Sequence, residues 1–248
     1  MHNKYNIEII IDIIKPAMRF DEAIKKYGYP VISKDVSKTI EYAQKGAIWA
    51  INALDGLEKD GTLYGNKSFK KRYKKYKYLL NAPFKISEKC CKYIKEQPIK
   101  VYEKQNDLKP IIGTIADESK RRLDGWLKVG CNAFDIERPR STPLAFWTEQ
   151  DILQYVYLTK LPISKIYGDV VPISDQLNFF DEIGKLQTTG ESRTGCMFCM
   201  FGCHRDNPNK FQRMKHAHPK LYDYCIRDVE EQGLGLGKVL DYIGVKYD

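Results

Sequence analysis

The spacing of hydrophobic residues changes along this chain, and it predicts strands that alternate with helices. Tyr5–Ile14 is an isoleucine-rich run typical of a buried strand, and Lys109–Thr114 has the same character. Apolar positions at helical spacing predict helices between and after these runs. The predicted helical segments are Asp21–Tyr27, Val36–Leu57, a segment from Ser87 to just before Pro98, Glu118–Val129, Thr148–Lys160, Pro219–Ile226 and Lys238–Ile243.

This alternation predicts an α/β fold with a doubly wound, mostly parallel sheet. We expect residues 1–185 to form the α/β domain. The chain becomes rich in glycine and cysteine beyond Gly190, and residues 186–248 are expected to form a Cys-rich C-terminal extension packed on the same domain. A chain of 248 residues is long enough for one large domain of this kind.

The cysteines and the chain's N-terminus predict its compartment. No run of about 18 apolar residues occurs, so no membrane-spanning helix is expected. The first residues, MHNKYN, lack the pattern of a secretory signal peptide. We therefore expect a cytoplasmic protein, whose thiols stay reduced. Seven cysteines in such a protein favour metal or redox chemistry over a disulfide framework.

A basic tract at Lys67–Lys77 contributes much of the net charge of +9. Its lysines and arginine alternate with Phe69, Tyr73 and Tyr76. Lysines neutralise phosphates and aromatic rings stack on bases, so the tract is a candidate nucleic-acid surface. The alternative is a solvated segment that only keeps the protein soluble.

Two cysteine pairs carry the strongest chemical signal. Cys196 and Cys199 form a C-x-x-C motif, whose spacing lets two thiolates bind one metal from a tight turn. Cys90 and Cys91 are adjacent, and neighbouring side chains on a helix point about 100° apart, so core packing alone explains them poorly. The two pairs together supply four thiolates, which is the ligand set of a four-iron cluster.

Two other interpretations of the cysteines are open at this point. Zinc could be held by Cys196, Cys199 and Cys203 with one histidine. The cysteines could also be separately buried as small apolar residues, which is common for free cysteine. The candidate histidine ligands are His204, His216 and His218.

The segment Gly113–Arg122 lies where a predicted strand ends and a helix begins. Ligands of doubly wound sheets bind at the carboxyl ends of strands. Ser119 and the first amides of the helix can bind an anion there, and Arg122 can add a cation. Arg193 could bring a second cation to the same cleft. An ordinary strand–helix turn is the alternative.

Four segments together resemble the phosphoadenosine phosphosulfate reductase family of the adenine nucleotide α-hydrolase superfamily. They are Gly113–Arg122, Trp147–Ile152, Pro162–Gly168 and Arg193–Cys199, and the resemblance extends from about Ile7 to Tyr247. It implies an adenine nucleotide or sulfonucleotide substrate contacted by Gly113, Glu118, Ser119, Arg122 and Arg193. It also implies a 4Fe-4S cluster on Cys90, Cys91, Cys196 and Cys199.

The sequence departs from that family at three places. No phosphate loop of the Ser-Gly-Gly-x-Asp-Ser type follows the first strand, so the fold is expected to be incomplete at its N-terminus. The C-terminal segment with the nucleophilic cysteine is missing, and Ile115 stands where the reductases usually have arginine. We therefore expect little or no independent nucleotide hydrolysis. A partner chain or a second copy is expected to cover the exposed sheet edge.

Two functions follow from these observations. The first is nucleotide-linked sulfur chemistry, either sulfonucleotide reduction or sulfur transfer, with an iron–sulfur cluster. The second is a non-catalytic module that binds nucleic acid or assists thiolation of tRNA or DNA and contains a structural zinc ion.

Overall fold

The computed structural model of the chain describes residues 11–63, 69–173, 184–191 and 194–248. Residues 5–10 of the first predicted strand lie outside the described residues, as do Lys67 of the basic tract and Arg193. Within the described ranges, no helix combines the length and the apolar character that crossing a membrane requires.

Short helices make up most of the regular structure. A 3-10 helix at Phe69–Asn81 and a π-helical turn at Lys92–Glu96 accompany the α-helices. Several α-helices begin at residues whose side chains accept a hydrogen bond from the first turn, such as Ser33 and Asn209. The α-helices are α1 (Phe20–Tyr27), α2 (Lys34–Gln44), α3 (Ile48–Asp55), α4 (Gln97–Gln105), α5 (Lys120–Val129), α6 (Glu149–Thr159), α7 (Lys210–Ala217), α8 (Pro219–Ile226) and α9 (Leu236–Tyr242).

Two predicted helices differ from the structure by more than one or two residues at an end. The segment Val36–Leu57 is divided into α2 and α3, because Gly46 adopts a positive φ of 81° between them. The helix that carries Cys90 does not end before Pro98 but continues to the end of α4. A proline removes one helical hydrogen bond, and the π-helical turn immediately before Pro98 is the irregularity that accompanies it.

The chain forms two compact units. The first combines Met1–Val101 with Phe198–Asp248, and the second is Tyr102–Met197. The predicted division after residue 185 falls within the second unit.

The first unit is built around an apolar core to which both of its chain segments contribute. Helices α1 to α3 and α7 to α9 contribute to it, and so do Leu79 of the 3-10 helix and Ile86. Burial of such side chains is the main source of folding free energy. Its largest fully buried residues are Phe211, Ile40, Leu54, Leu79, Ile86, Met200, Leu234, Leu236, Leu240, Val31 and Val239.

The second unit contains two short antiparallel strand pairs. Strand β1 (Asn132–Ala133) pairs with β2 (Arg140–Ser141), and β3 (Val170–Pro172) pairs with β4 (Leu186–Thr188). Helix α6 packs against both β3 and β4. This packing places α6 and the β3–β4 hairpin around the candidate site.

The predicted parallel sheet is not confirmed by the described residues, in which both named strand pairs are antiparallel. The predicted strand Lys109–Thr114 makes a single parallel bridge, from Ile111 to Ser141. Ile11 and Ile13, at the end of the first predicted strand, are 80% and 88% exposed instead of buried. A strand needs a hydrogen-bonded neighbour, and the described residues offer these two segments almost none.

Candidate functional site

The turn at Gly113–Glu118 is held against the rest of the second unit by backbone hydrogen bonds. The amide of Ile112 donates to the carbonyl of Ser141 at 2.8 Å, and the amide of Ala116 donates to the carbonyl of Ala145 at 2.8 Å. Ala116 is buried, and it begins a single 3-10 turn that leads to α5. The turn therefore has a fixed position beside the start of α6.

Helix α6 begins at a strongly capped N-terminus. Thr148 accepts a hydrogen bond from the Asp151 amide, and the Asp151 carboxylate accepts from the Thr148 amide at 2.7 Å. The carboxylate of Asp117 accepts from the amide of Glu149 at 3.3 Å. Asp117 thus joins the Gly113–Glu118 turn to the first turn of α6.

Gln150 connects α6 to the edge of the hairpin. Its side-chain nitrogen donates to the Leu186 carbonyl at 3.0 Å, and its side-chain oxygen accepts from the Leu186 amide at 2.9 Å. The side-chain amide of Gln150 thereby makes the pair of hydrogen bonds to β4 that a neighbouring strand would otherwise make. These bonds fix the distance between α6 and the hairpin.

A pocket of about 780 Å³ lies between the Gly113–Glu118 turn, α6 and the β3–β4 hairpin. Its walls are mostly apolar, and it is large enough for a nucleotide-sized ligand. Its charged residues are all carboxylates. The lining residues are Gly113, Ile115, Asp117, Glu118, Leu144, Glu149, Gln150, Ile152, Leu153, Val156, Ile163, Tyr167, Val170, Leu186, Gln187, Thr188 and Thr194.

The structure brings two of the predicted nucleotide-binding residues to this pocket. Gly113 and Glu118 line it. Ser119 instead caps α5, where its hydroxyl accepts from the Arg122 amide at 3.3 Å. The guanidinium of Arg122 forms an ion pair with Glu118. Arg193 lies outside the described residues. The roles of all five in binding a nucleotide stay a prediction.

Sequence reasoning missed most of the pocket wall. Asp117, Gln150, Tyr167 and Thr194 were not singled out, although each lies in one of the motif segments. Tyr167 and Thr194 share a hydrogen bond of 2.8 Å between their hydroxyl groups. The signal that could have found these residues is that each is a polar side chain within a segment that resembles the family.

Cys90 and Cys91 lie at the start of one helix in the first unit, and their thiols interact. The hydrogen bond from Cys90 lowers the pKa of Cys91 to about 7, and the nearby ammonium groups of Lys34 and Lys95 act in the same direction against burial. The amide of Cys91 donates to the Glu88 carbonyl at 3.3 Å. A thiol with this pKa is partly thiolate near neutral pH.

Cys203 and Cys225, also in the first unit, differ from Cys91. Burial raises the pKa of Cys203 to about 11 and that of Cys225 to about 12, so both remain protonated thiols. The thiol of Cys203 donates to the Met200 carbonyl at 3.0 Å. Burial lowers the pKa of His204, whose Nδ1 atom is buried without a hydrogen-bond partner among the described residues.

The predicted metal ligands are divided between the units. Cys90, Cys91 and Cys199 belong to the first unit and Cys196 to the second. In the part of the chain that the structure describes, no three Cys, His, Asp or Glu side chains are grouped so that they could hold a metal ion. The described residues therefore do not present an assembled site for a cluster or a zinc ion.

From Phe69 onward the basic tract belongs to a 3-10 helix, and Tyr73 lies in the core of the first unit. Tyr73 is buried and its hydroxyl donates to Asp35 at 2.5 Å. Tyr76 packs against the core, and Lys77 is ion-paired with Asp55. Among the lysines of the tract, the structure describes the side chains of Lys74, Lys75 and Lys77. Nucleic-acid binding by the tract stays a prediction.

The part of the chain that contains the pocket matches a known protein family. The phosphoadenosine phosphosulfate reductase domain matches residues 51–199, which are more than half of the chain. The chain belongs to this family. The phosphoadenosine phosphosulfate reductase domain implies an α/β fold like that of nucleotide hydrolases, and it indicates nucleotide-linked sulfur chemistry. No curated protein and no solved structure matches the chain.

Proposed function

We propose that the chain binds an adenine sulfonucleotide in the pocket of the second unit and acts in its reduction or in sulfur transfer from it. The observation that carries this proposal is the pocket itself. It is of nucleotide size, lies wholly within residues matched by the reductase domain, and is lined by the Gly113 turn.

The pocket walls suit the adenosine part of such a ligand. Leu153, Val156 and Leu186 provide apolar surface for a flat base. The carboxylates of Asp117 and Glu118 are hydrogen-bond acceptors, and the ribose hydroxyls and the amino group of adenine are donors. Apolar walls with a few polar groups are the usual composition of a small-molecule site.

Filling the pocket should block binding. Replacing Leu153 with tryptophan puts a larger ring into the cavity, and we expect adenosine 5′-phosphosulfate to bind at least about tenfold more weakly as a result. Isothermal titration calorimetry with the purified chain measures this change. The matched control is Leu158→Trp on the same helix, where Leu158 is 64% exposed and does not line the pocket. Equal affinity for both variants would contradict the proposed site.

We further propose that the two cysteine pairs hold a 4Fe-4S cluster. Support comes from the thiol–thiol contact of Cys90 with Cys91 and from the C-x-x-C spacing of Cys196 and Cys199, all within the matched residues. When bound, a cluster of this kind supplies electron transfer or polarises a nearby sulfur oxyanion. Of the four proposed ligands, Cys196 belongs to the second unit and the other three belong to the first.

Anaerobic purification followed by quantitation of iron, zinc and sulfide tests the cluster. We expect about four iron and four sulfide per chain and a brown absorption spectrum. Cys196→Ser should lose most of the iron, whereas the control Cys131→Ser should retain it, because Cys131 is outside both pairs. A colourless protein with one zinc would favour the zinc-containing module instead, and a metal-free protein would contradict both interpretations.

A further inference from the structure

Charge is distributed unevenly around the candidate nucleotide pocket. Its charged lining residues are Asp117, Glu118 and Glu149, and no lysine or arginine lines it within the described residues. Arg122, the nearest predicted cation, is already paired with Glu118. A sulfonucleotide has a strongly anionic end, and placing that end among carboxylates would be electrostatically unfavourable. The anionic end therefore needs a cationic site at the margin of the pocket.

A second cavity of about 440 Å³ provides such a site. It adjoins the first, since Val156, Ile163 and Val170 line both cavities. Two lysines, Lys160 at the end of α6 and Lys165 in the following 3-10 turn, line the second cavity and not the first. The acidic and the basic cavity thus meet at an apolar margin formed by these three residues.

The backbone holds Lys160 in a defined position. Lys160 ends α6 in the left-handed conformation, with a φ of 53°, which is unfavourable for residues other than glycine, asparagine and aspartate. Its ammonium group lies 4.3 Å from the centre of the Tyr157 ring, a cation–π distance. Tyr157 also lines the cavity, so the ring orients the charge at its edge.

Neither lysine is neutralised by an ion pair with the residues that the structure describes. The cavity also contains one acidic residue, Asp169, whose backbone is bonded to Thr189. Two ammonium groups and one carboxylate leave a net positive charge. This balance favours a tetrahedral oxyanion with at least one further hydrogen-bonding group over a metal ion or a neutral ligand.

We propose that Lys160 and Lys165 form a subsite for the anionic phosphate or sulfate end of the nucleotide. The inference rests on the proposed function, because it assumes that the adenosine part occupies the acidic cavity. Val156, Ile163 and Val170 lie where the two cavities meet, between the place of the base and the place of the anionic end. The lysines act as binding residues and take no part in bond making.

The test compares three ligands on the full chain by calorimetry: adenosine, adenosine 5′-monophosphate and adenosine 5′-phosphosulfate. The variant is Lys160→Gly with Lys165→Gln. Glycine accepts the left-handed conformation, so the first change removes the charge without adding backbone strain. The control variant neutralises two exposed lysines of the same unit outside the cavity, Lys104→Gln and Lys128→Gln, and thus has the same net charge.

We expect the double variant to bind both charged nucleotides at least about tenfold more weakly than the control variant, with adenosine unchanged. The difference should shrink as salt is added, because the lysines are exposed. The monophosphate and the phosphosulfate arms distinguish phosphate from sulfate as the group that is bound. A thermal melt confirms that the variant is folded, and Lys165→Gln alone, on an unstrained backbone, should give part of the effect.

The two proposals fail in different ways. If adenosine binds and Leu153→Trp blocks it, but the lysine variant binds the charged nucleotides as the control does, the subsite is wrong and the proposed function stands. If neither adenosine nor adenosine 5′-phosphosulfate binds, the proposed function is wrong, and the subsite as stated is wrong with it.

Discussion

Replacing Gly233 with alanine should destabilise the first unit by about 3 kcal/mol or more. An added Cβ at this position would lie 2.0 Å from the Arg227 carbonyl oxygen and 2.4 Å from its carbonyl carbon. Both atoms belong to the backbone just after α8, and the Gly235 amide donates to the same oxygen at 2.8 Å. The overlap can therefore be relieved only if the backbone at Gly233 moves away from the backbone at Arg227, which disrupts the connection between α8 and α9. Urea unfolding followed by circular dichroism measures the change.

The control is the same substitution where space is open. A Cβ at Gly125, inside α5, would meet no atom within 4 Å. Because alanine favours a helix interior over glycine, Gly125→Ala should stabilise the protein by about 0.5–1 kcal/mol. Opposite signs for the two variants are expected. A neutral Gly233→Ala would show that the α8–α9 connection is looser than described.

Replacing Glu41 with glutamine should cost about 2 kcal/mol near neutral pH. Glu41 is buried in α2 and accepts hydrogen bonds from Ser87 at 2.7 Å, from Lys89 at 2.5 Å and from Lys45. Glutamine has nearly the same volume but no charge, so both lysines lose their partner. The expected loss of stability is smaller than for a fully buried ion pair, because the lysine side chains are partly exposed.

This loss should depend on pH in a defined direction. Burial raises the pKa of Glu41, but hydrogen bonds from Lys45, Lys89 and Ser87 outweigh burial and leave the pKa below its ordinary value of 4.5. A lowered pKa stabilises the folded state fully above 4.5, and this contribution disappears as pH falls through the folded-state pKa. The wild-type protein should therefore lose its advantage over Glu41→Gln in acid.

Urea unfolding of both proteins between about pH 7 and pH 3 checks this dependence. The control is Glu231→Gln in the same unit, because Glu231 is exposed and forms none of the described ion pairs. Its unfolding free energy should match that of the wild-type protein at each pH. A constant difference for Glu41→Gln across this range would contradict the role of its charge.

Local signals in the sequence predicted much of the helical structure. The capping box of Thr148 and Asp151 marks the start of α6, and the segment Pro219–Ile226 coincides with α8. Both depend on residues close together in sequence. The parallel sheet is a different kind of prediction, because isoleucine-rich runs indicate burial but do not specify a neighbour. Ile11–Ile14, the described end of the first predicted strand, accordingly forms no strand in the structure.

The candidate site was predicted in part, for a similar reason. Gly113 and Glu118 lie in a motif and line the pocket. Gln150 and Leu186 are 36 residues apart, and only the folded chain brings them into contact. Arg122 shows the reverse case, since its charge suggested an anion site while its neighbour Glu118 already pairs with it. The sequence shows which charged side chains the chain has, and the contacts in the folded protein decide which of them can bind a ligand.

The first unit is built from two segments that are far apart in the sequence, and this affects how it folds during synthesis. Its early helices leave the ribosome well before the late segment that contains Phe211 and Leu240, which are part of the same core. The intervening Tyr102–Met197 emerges complete and can fold while translation continues. The early helices must meanwhile keep their apolar faces from aggregating. Chaperone dependence should accordingly be concentrated in the first hundred residues of the nascent chain.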